Sequence, residues 1–177
     1  ALRAKGEAVD EIVGAASAMR SRALPLDIPR HDHSIDTCGT GGDNSGSVNI
    51  STMAAVVVAA SGRAVIKHGN RAASSQSGSA DVLQELGVVV DLAPDLIPPS
   101  VAETGIAFCF AQVFHPAMRH AGPVRKELGM RSVFNFLGPL ANPARPAAQV
   151  VGVPDPTMAA VVAGALARRG TVALVVR

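Results

Sequence analysis

The sequence predicts an α/β fold, a mostly parallel sheet flanked by helices, preceded by a small and incomplete helical domain. Three observations carry this. From Ile35 onward, short β-branched runs alternate with helical stretches, as in a parallel sheet with right-handed crossovers. Two polar, glycine-containing loops, 36–52 and 67–81, each begin where one of those runs ends, which puts both at one edge of such a sheet. Ahead of them an amphipathic helix stops in a linker marked by Pro25 and Pro29. The expected division is a partial helical domain and linker over 1–29 and an α/β domain over 30–177.

In the first helix, Glu7 to Ala23, residues Val9, Ile12, Val13, Ala16 and Met19 recur at helical spacing, with Asp10, Glu11 and Arg20 on the polar face. One helix before a linker is not a whole domain. Strands are then expected at 34–38, 63–66, 88–91 and 106–111, and helices at 49–61, 79–86 and 95–104. Gly62 and Gly87 stand where helix C-terminal caps belong. His115 to Leu128 reads as a helix interrupted at Pro123, and 134–146, rich in Pro, Gly and Asn, reads as irregular. Strand, helix and strand resume at 148–153, 156–169 and 172–176.

Composition excludes several classes. With 48% hydrophobic and 17% charged residues the chain is globular rather than disordered. A net charge of +2 is too small for a nucleic-acid or membrane footprint. The aromatics are all Phe and make up 3%, so single-stranded nucleic acid finds no stacking platform. Cys38 and Cys109 lie apart, outside any metal-ligand spacing, and read as buried reduced thiols. No signal peptide opens the chain, and the longest apolar run, Met53 to Ala60, is too short to span a bilayer. A cytoplasmic protein is expected.

The chemistry gathers in the two loops. Glycines at 39, 41, 42 and 46 bury nothing and cost backbone entropy. Between a strand and a helix they present N–H groups to an anion at the positive end of the helix dipole. The loop matches neither the P-loop nor the dinucleotide fingerprint, since no Lys-Ser/Thr follows and the spacing is not G-x-G-x-x-G. Asn49, Ser51 and Thr52 are available as caps. The second loop, KHGNRAASSQSGSAD, crowds Lys67, His68, Asn70, Arg71 and several serines together, and two such loops at one sheet edge make a site. Asp43 would repel a bare phosphate and suits a magnesium ion or a ribose hydroxyl instead.

GTGGD, NIST, KHGNRAASS with SGSAD, and FHPAMRHAGPVRKELGMRSVFNFLGPLANP, in this order and spacing, closely resemble the anthranilate phosphoribosyltransferases of tryptophan biosynthesis. The resemblance spans nearly the whole chain. It implies that Gly39, Gly41, Gly42, Asp43, Ser47, Asn49, Ile50, Ser51 and Thr52 bind 5-phosphoribosyl 1-diphosphate together with Lys67, His68, Gly69, Asn70, Arg71, Ser74, Ser75 and Ser79. It also implies that Gly39, Asn70, His115 and Met118 meet anthranilate while Arg125 pairs with its carboxylate, a task suited to a bidentate guanidinium. Mg2+ is the implied cofactor, with Ser51 as one ligand and the others expected beyond Arg177. A homodimer through the helical domain is implied for the complete protein, as are a helical domain that starts before Ala1 and an α/β domain that continues past the last strand.

The implied reaction joins the anthranilate amine to the ribose anomeric carbon with release of pyrophosphate. An aryl amine is already unprotonated at neutral pH, so no catalytic base is assigned, and His68 is only a candidate for late proton removal. Because the family places an Asp-Glu pair after a strand like 171–176, the 177 residues alone are expected to be inactive or nearly so. Two alternatives stand beside this reading: a pyrimidine nucleoside phosphorylase, which has a similar glycine loop, and a non-catalytic nucleic-acid-binding relative. In FNFLGPLANP, Pro139 and Pro143 read mainly as stiffeners.

Overall fold

The computed structural model of the chain describes residues 1–28, 33–41, 46–72 and 77–177, and for Lys126 the backbone alone. Five strands form one parallel sheet: β1 (Ile35–Gly39), β2 (Val65–Gly69), β3 (Ile106–Phe110), β4 (Ala148–Gly152) and β5 (Val172–Val176), in spatial order β3-β2-β1-β4-β5. The expected α/β class holds. β1 is central, so its C-terminal end, where the first glycine loop starts, lies in the middle of the sheet edge.

Side chains alternate between faces along each strand, and the two faces are covered differently. Helices α3 (Ile50–Ala60) and α4 (Ser79–Glu85) pack on the face that carries Thr37, Lys67, Phe108 and Phe110. The opposite face, with Cys38 and Val151, packs on α2 (Val9–Ser21), α8 (Phe134–Leu140) and α9 (Pro156–Arg168), which follow the short α1 (Leu2–Lys5) or the later strands. Ile12 and Ala16 of α2 are fully buried in the same core as Leu137, Val162 and Leu166. α2 comes close enough to α9 that a Cβ on Gly164 would meet Val9 Cγ2 at 3.0 Å. On the β3 side, Ile97 and Val101 of α5 (Ile97–Thr104) join Ile66, Cys109 and Phe114. Among the described residues no helix is long and apolar enough to cross a membrane.

Four local expectations are corrected. The strand expected at 63–66 runs over Val65–Gly69, so Lys67 and His68 belong to β2, in register with Phe108 and Cys109. Their polarity hid a strand that is buried along all but its last residue. Residues 88–91 are not a strand: β2 and β3 pair directly, Val88 and Val89 face solvent, and only Val90 is buried. The helix expected over 115–128 is interrupted near Pro123 as read, but its first part is a 3-10 turn, Pro116–His120, that follows the short α6 (Ala111–Phe114) across His115, and only α7 (Gly122–Leu128) is α-helical. Pro116 keeps His115 out of the helical region, at φ −121°, whereas Pro123 sits in the first turn of α7, where no N–H is needed. Lastly, Phe134–Leu140 is a helix despite Gly138 and Pro139, because Phe136, Leu137 and Leu140 bury one face in the core.

Candidate active site

A cleft of about 720 Å³ opens at the C-terminal ends of β1 and β2. Its walls come from both glycine-containing loops, from the segment after β3, and from Phe134, Asn135, Gly138 and Pro139 of α8. Of the residues singled out in the sequence, Gly39, Gly41, Asn49, Ser51, Lys67, His68, Gly69, Asn70, Arg71, Ser79, His115, Met118 and Arg125 line it together. Ser47, Ile50 and Thr52 do not; Ile50 is exposed and Thr52 is buried behind the loop. Gly42, Asp43, Ser74 and Ser75 lie outside the described residues, as does Pro29 of the linker.

Alternation along β2 sends Lys67 and His68 to opposite faces. Lys67, 3% exposed, donates from Nζ to Thr37 O at 2.6 Å and to Ser51 Oγ at 3.1 Å. Burial lowers its pKa and the charge of Asp36 opposes that fall. An ammonium has three donors, and these two bonds use two of them. Asn49 occupies the N-cap position of α3 without a side-chain cap bond. The capping expected of Asn49, Ser51 or Thr52 is therefore absent, and Asn49 faces the cleft instead.

On the other face His68 and His115 meet edge to face, with ring centroids 5.1 Å apart. His68 Nδ1 lies 3.0 Å from Gly138 O. A carbonyl only accepts, so Nδ1 carries the hydrogen and Nε2 is a bare lone pair, buried and without a hydrogen-bond partner. Burial first, then the neighbouring His115 and Lys67, push the His68 pKa down to about 3. Burial also lowers that of His115. Two neutral imidazoles thus line the cleft, a setting for an uncharged ring rather than a cation.

The second loop is tied by Asp81, whose carboxylate accepts from Ala72 N at 3.0 Å and Gly78 N at 2.8 Å and pairs with Arg71 at 3.0 Å. These two backbone bonds hold its carboxyl below the usual range. Arg71 also reaches Gln84 at 2.7 Å, so its guanidinium is already engaged. Ser79 Oγ donates to Asn70 O at 3.3 Å. Gly78 is required by close approach, since a Cβ there would meet Asn70 O and Arg71 C at 2.6 Å. Arg125, half-buried, stacks 5.3 Å from the Phe134 ring, and burial lowers its pKa.

The sequence reading missed three groups. Asp36, fully buried, accepts from His68 N at 3.3 Å and Asn142 Nδ2 at 2.9 Å, with Gln149 Nε2 at 3.5 Å. Asn142 also bonds Ile66 O and Gln149 bonds Pro139 O, both at 2.8 Å. This buried network locks α8 and the segment after it onto β1, β2 and β4. Burial raises the Asp36 pKa, and Lys67 and these hydrogen bonds counter it. Asp81 is the second group. The third is Arg131, which donates to Gly41 O at 3.3 Å and holds the first loop from outside. The available signal was the presence of Asp36, Asn142 and Gln149 in otherwise apolar segments.

The described residues do not form a magnesium site by themselves. None of their His, Cys, Asp and Glu side chains cluster in a metal-holding group, and Ser51 Oγ accepts from a lysine ammonium.

Residues 31–177 match the glycosyl transferase family, a/b domain. The chain is 58% identical over 177 residues to an anthranilate phosphoribosyltransferase of Saccharopolyspora erythraea, covering 100% of this chain and 50% of the relative. In structure it is similar to the Thermus thermophilus anthranilate phosphoribosyltransferase, with TM-score 0.90 and 53% identity over 96% of this chain and 51% of that one. It is also similar to the Saccharomyces cerevisiae enzyme in complex with PRPP and Mg, with TM-score 0.90 and 31% identity over 98% of this chain and 50% of that one. The chain spans about half the length of these relatives. Fold, cleft and comparisons agree: the chain belongs to the glycosyl transferase family through its α/β domain, and the relatives it matches are anthranilate phosphoribosyltransferases.

Proposed function

We propose that the protein carrying this chain transfers the phosphoribosyl group of 5-phosphoribosyl 1-diphosphate to the amine of anthranilate. The observation that carries the reading is the two-sided cleft. One side offers the glycine loop, the start of α3 and the Lys67 ammonium; the other offers two neutral imidazoles, Met118 and the half-buried Arg125. The first side suits a diphosphate and the second a planar aromatic acid.

In this reading the amine nitrogen bonds to the anomeric carbon as the carbon–oxygen bond to diphosphate breaks, and the electron pair leaves with pyrophosphate. Lys67 and the loop N–H groups take up charge on the leaving oxygens, and the walls hold the two reactants in line. The arylammonium so formed is a strong acid, so a weak base suffices to remove its proton. His68, whose Nε2 carries no hydrogen but is buried, remains the candidate acceptor. Gly42, Asp43, Ser74 and Ser75 are assigned to the diphosphate side by resemblance. Magnesium accompanies PRPP in the yeast relative and is proposed as the cofactor here, but no step is drawn through it. A cytoplasmic setting accords with the free buried Cys38 and Cys109. A homodimer through the helical segment rests on the resemblance alone.

Calorimetric titration of the natural polypeptide carrying this sequence tests the reading against the phosphorylase alternative. Binding of the phosphoribosyl diphosphate, and its conversion with anthranilate, is expected. Binding and cleavage of thymidine with phosphate, and no heat with the diphosphate, would overturn it.

A further inference from the structure

A second cavity, of about 550 Å³, lies away from the cleft and shares no lining residue with it. It is bounded by the end of α2 and the connector to Ile28 on one side and by 142–145 on the other, with Arg20, Asp27 and Arg145 among its walls. Arg20 lies in the last turn of α2, and Arg169, at the end of α9, is close enough to feel the charges of both Arg20 and Arg145. Among the described residues none of the three is ion-paired to a carboxylate. Arg169 satisfies Nη1 on Leu140 O at 2.9 Å, but its Nε is buried without a partner.

The ordinary explanation of such arginines is that cations suit helix C-termini, and it covers only part of the cluster. Two of the three sit at helix ends, each offsetting roughly half a charge, and Asp27 offsets one more. About one positive charge stays uncancelled. Arg145 has no helix end to serve. It is also the one non-glycine residue with positive φ among those described, at 50°, and strained backbone of this kind concentrates at ligand sites. Burial followed by mutual repulsion lowers the pKa of both Arg20 and Arg169, the latter to about 10.

We propose that this cavity is an oxyanion site, distinct from the cleft, which takes a single phosphate or carboxylate group of a small metabolite between Arg20 and Arg145. Arg169 adds charge from nearby. An oxyanion there relieves the repulsion among three guanidinium groups and joins the connector to the 142–145 segment.

The test is NMR titration of the natural polypeptide, observing arginine Nε–H signals, with inorganic phosphate in one arm and acetate in the other. Saturable shifts at Arg20 and Arg145 are expected in at least one arm, and the tighter arm identifies the group. Cleft amides such as Gly39 and Ser51 report the other site separately, so failure here is distinguishable from failure of the proposed activity. Arg145→Gly accepts the positive φ and should fold normally while weakening the anion about tenfold or more. Arg20→Gln on the facing wall should do the same. Shifts confined to the cleft amides, no saturable shift in either arm, or unchanged affinity in both variants would each overturn the proposal.

Discussion

Asn142 donates from Nδ2 to the buried carboxylate of Asp36 at 2.9 Å across 106 residues of sequence, and Asp36 in turn accepts from the backbone N–H of His68. The end of β2 and the wall of the cleft are thereby held by a contact that touches no ligand. Asn142→Ala leaves a buried carboxylate short of its best partner. The loss expected in urea denaturation is about 2–3 kcal/mol. A change below about 0.5 kcal/mol would mean that Gln149 takes over.

Stability should fall with acid through His68. Its folded pKa, about 3, lies below the ordinary histidine value of 6.5, so between these values the unfolded chain binds a proton that the folded chain does not. The stabilisation is complete above pH 6.5 and lost as pH falls toward 3, at up to about 1.4 kcal/mol per pH unit. His115 adds in the same direction. Asp36, raised by burial, acts oppositely above its own ordinary range. His68→Gln should flatten the decline in melting temperature between pH 6.5 and 4, and an unaltered slope would count against the buried neutral ring.

On the diphosphate side, Lys67→Ala and Ser79→Ala in the natural polypeptide should weaken the phosphoribosyl diphosphate far more than anthranilate. Lys67→Ala removes a charge-assisted partner, which costs about 1.5–3 kcal/mol of binding. Because Lys67 also bonds Thr37 O and Ser51 Oγ, a melting curve must accompany it, whereas Ser79 loses only its bond to Asn70 O. Unchanged diphosphate affinity in both variants removes them from the site.

Arg125→Ala should raise the KM for anthranilate with little change for the diphosphate, and Arg125→Lys should rescue poorly. A lysine cannot present a planar fork to a carboxylate or stack as the guanidinium does on Phe134. Equal damage to both substrates in steady-state kinetics would reassign Arg125 to holding α7 against α8.

Much of the site was legible because its signals are local. Glycines at 39 and 41 between a strand and a helix, and Lys67, His68 and Asn70 clustered in one stretch, mark site chemistry, although Lys67 and His68 lie in β2 rather than in the loop. The cleft does bring them together. The course of 134–140 was not legible, because Gly138 and Pro139 argue against a helix locally. Burial of Phe136, Leu137 and Leu140 outweighs that preference.

By itself the sequence determined the α/β class with a parallel sheet, the two polar glycine-containing stretches at one sheet edge and their chemical character, since periodicity and turn chemistry act over neighbouring residues. Tertiary structure alone decided that Lys67 and His68 face opposite sides of a buried strand, that His68 is a neutral ring with a free Nε2, and that Asp36 is held by Asn142 and Gln149. Those outcomes depend on desolvation and on partners up to 113 residues apart. A buried charge or imidazole takes its state from whatever the fold packs around it, and no local pattern encodes that.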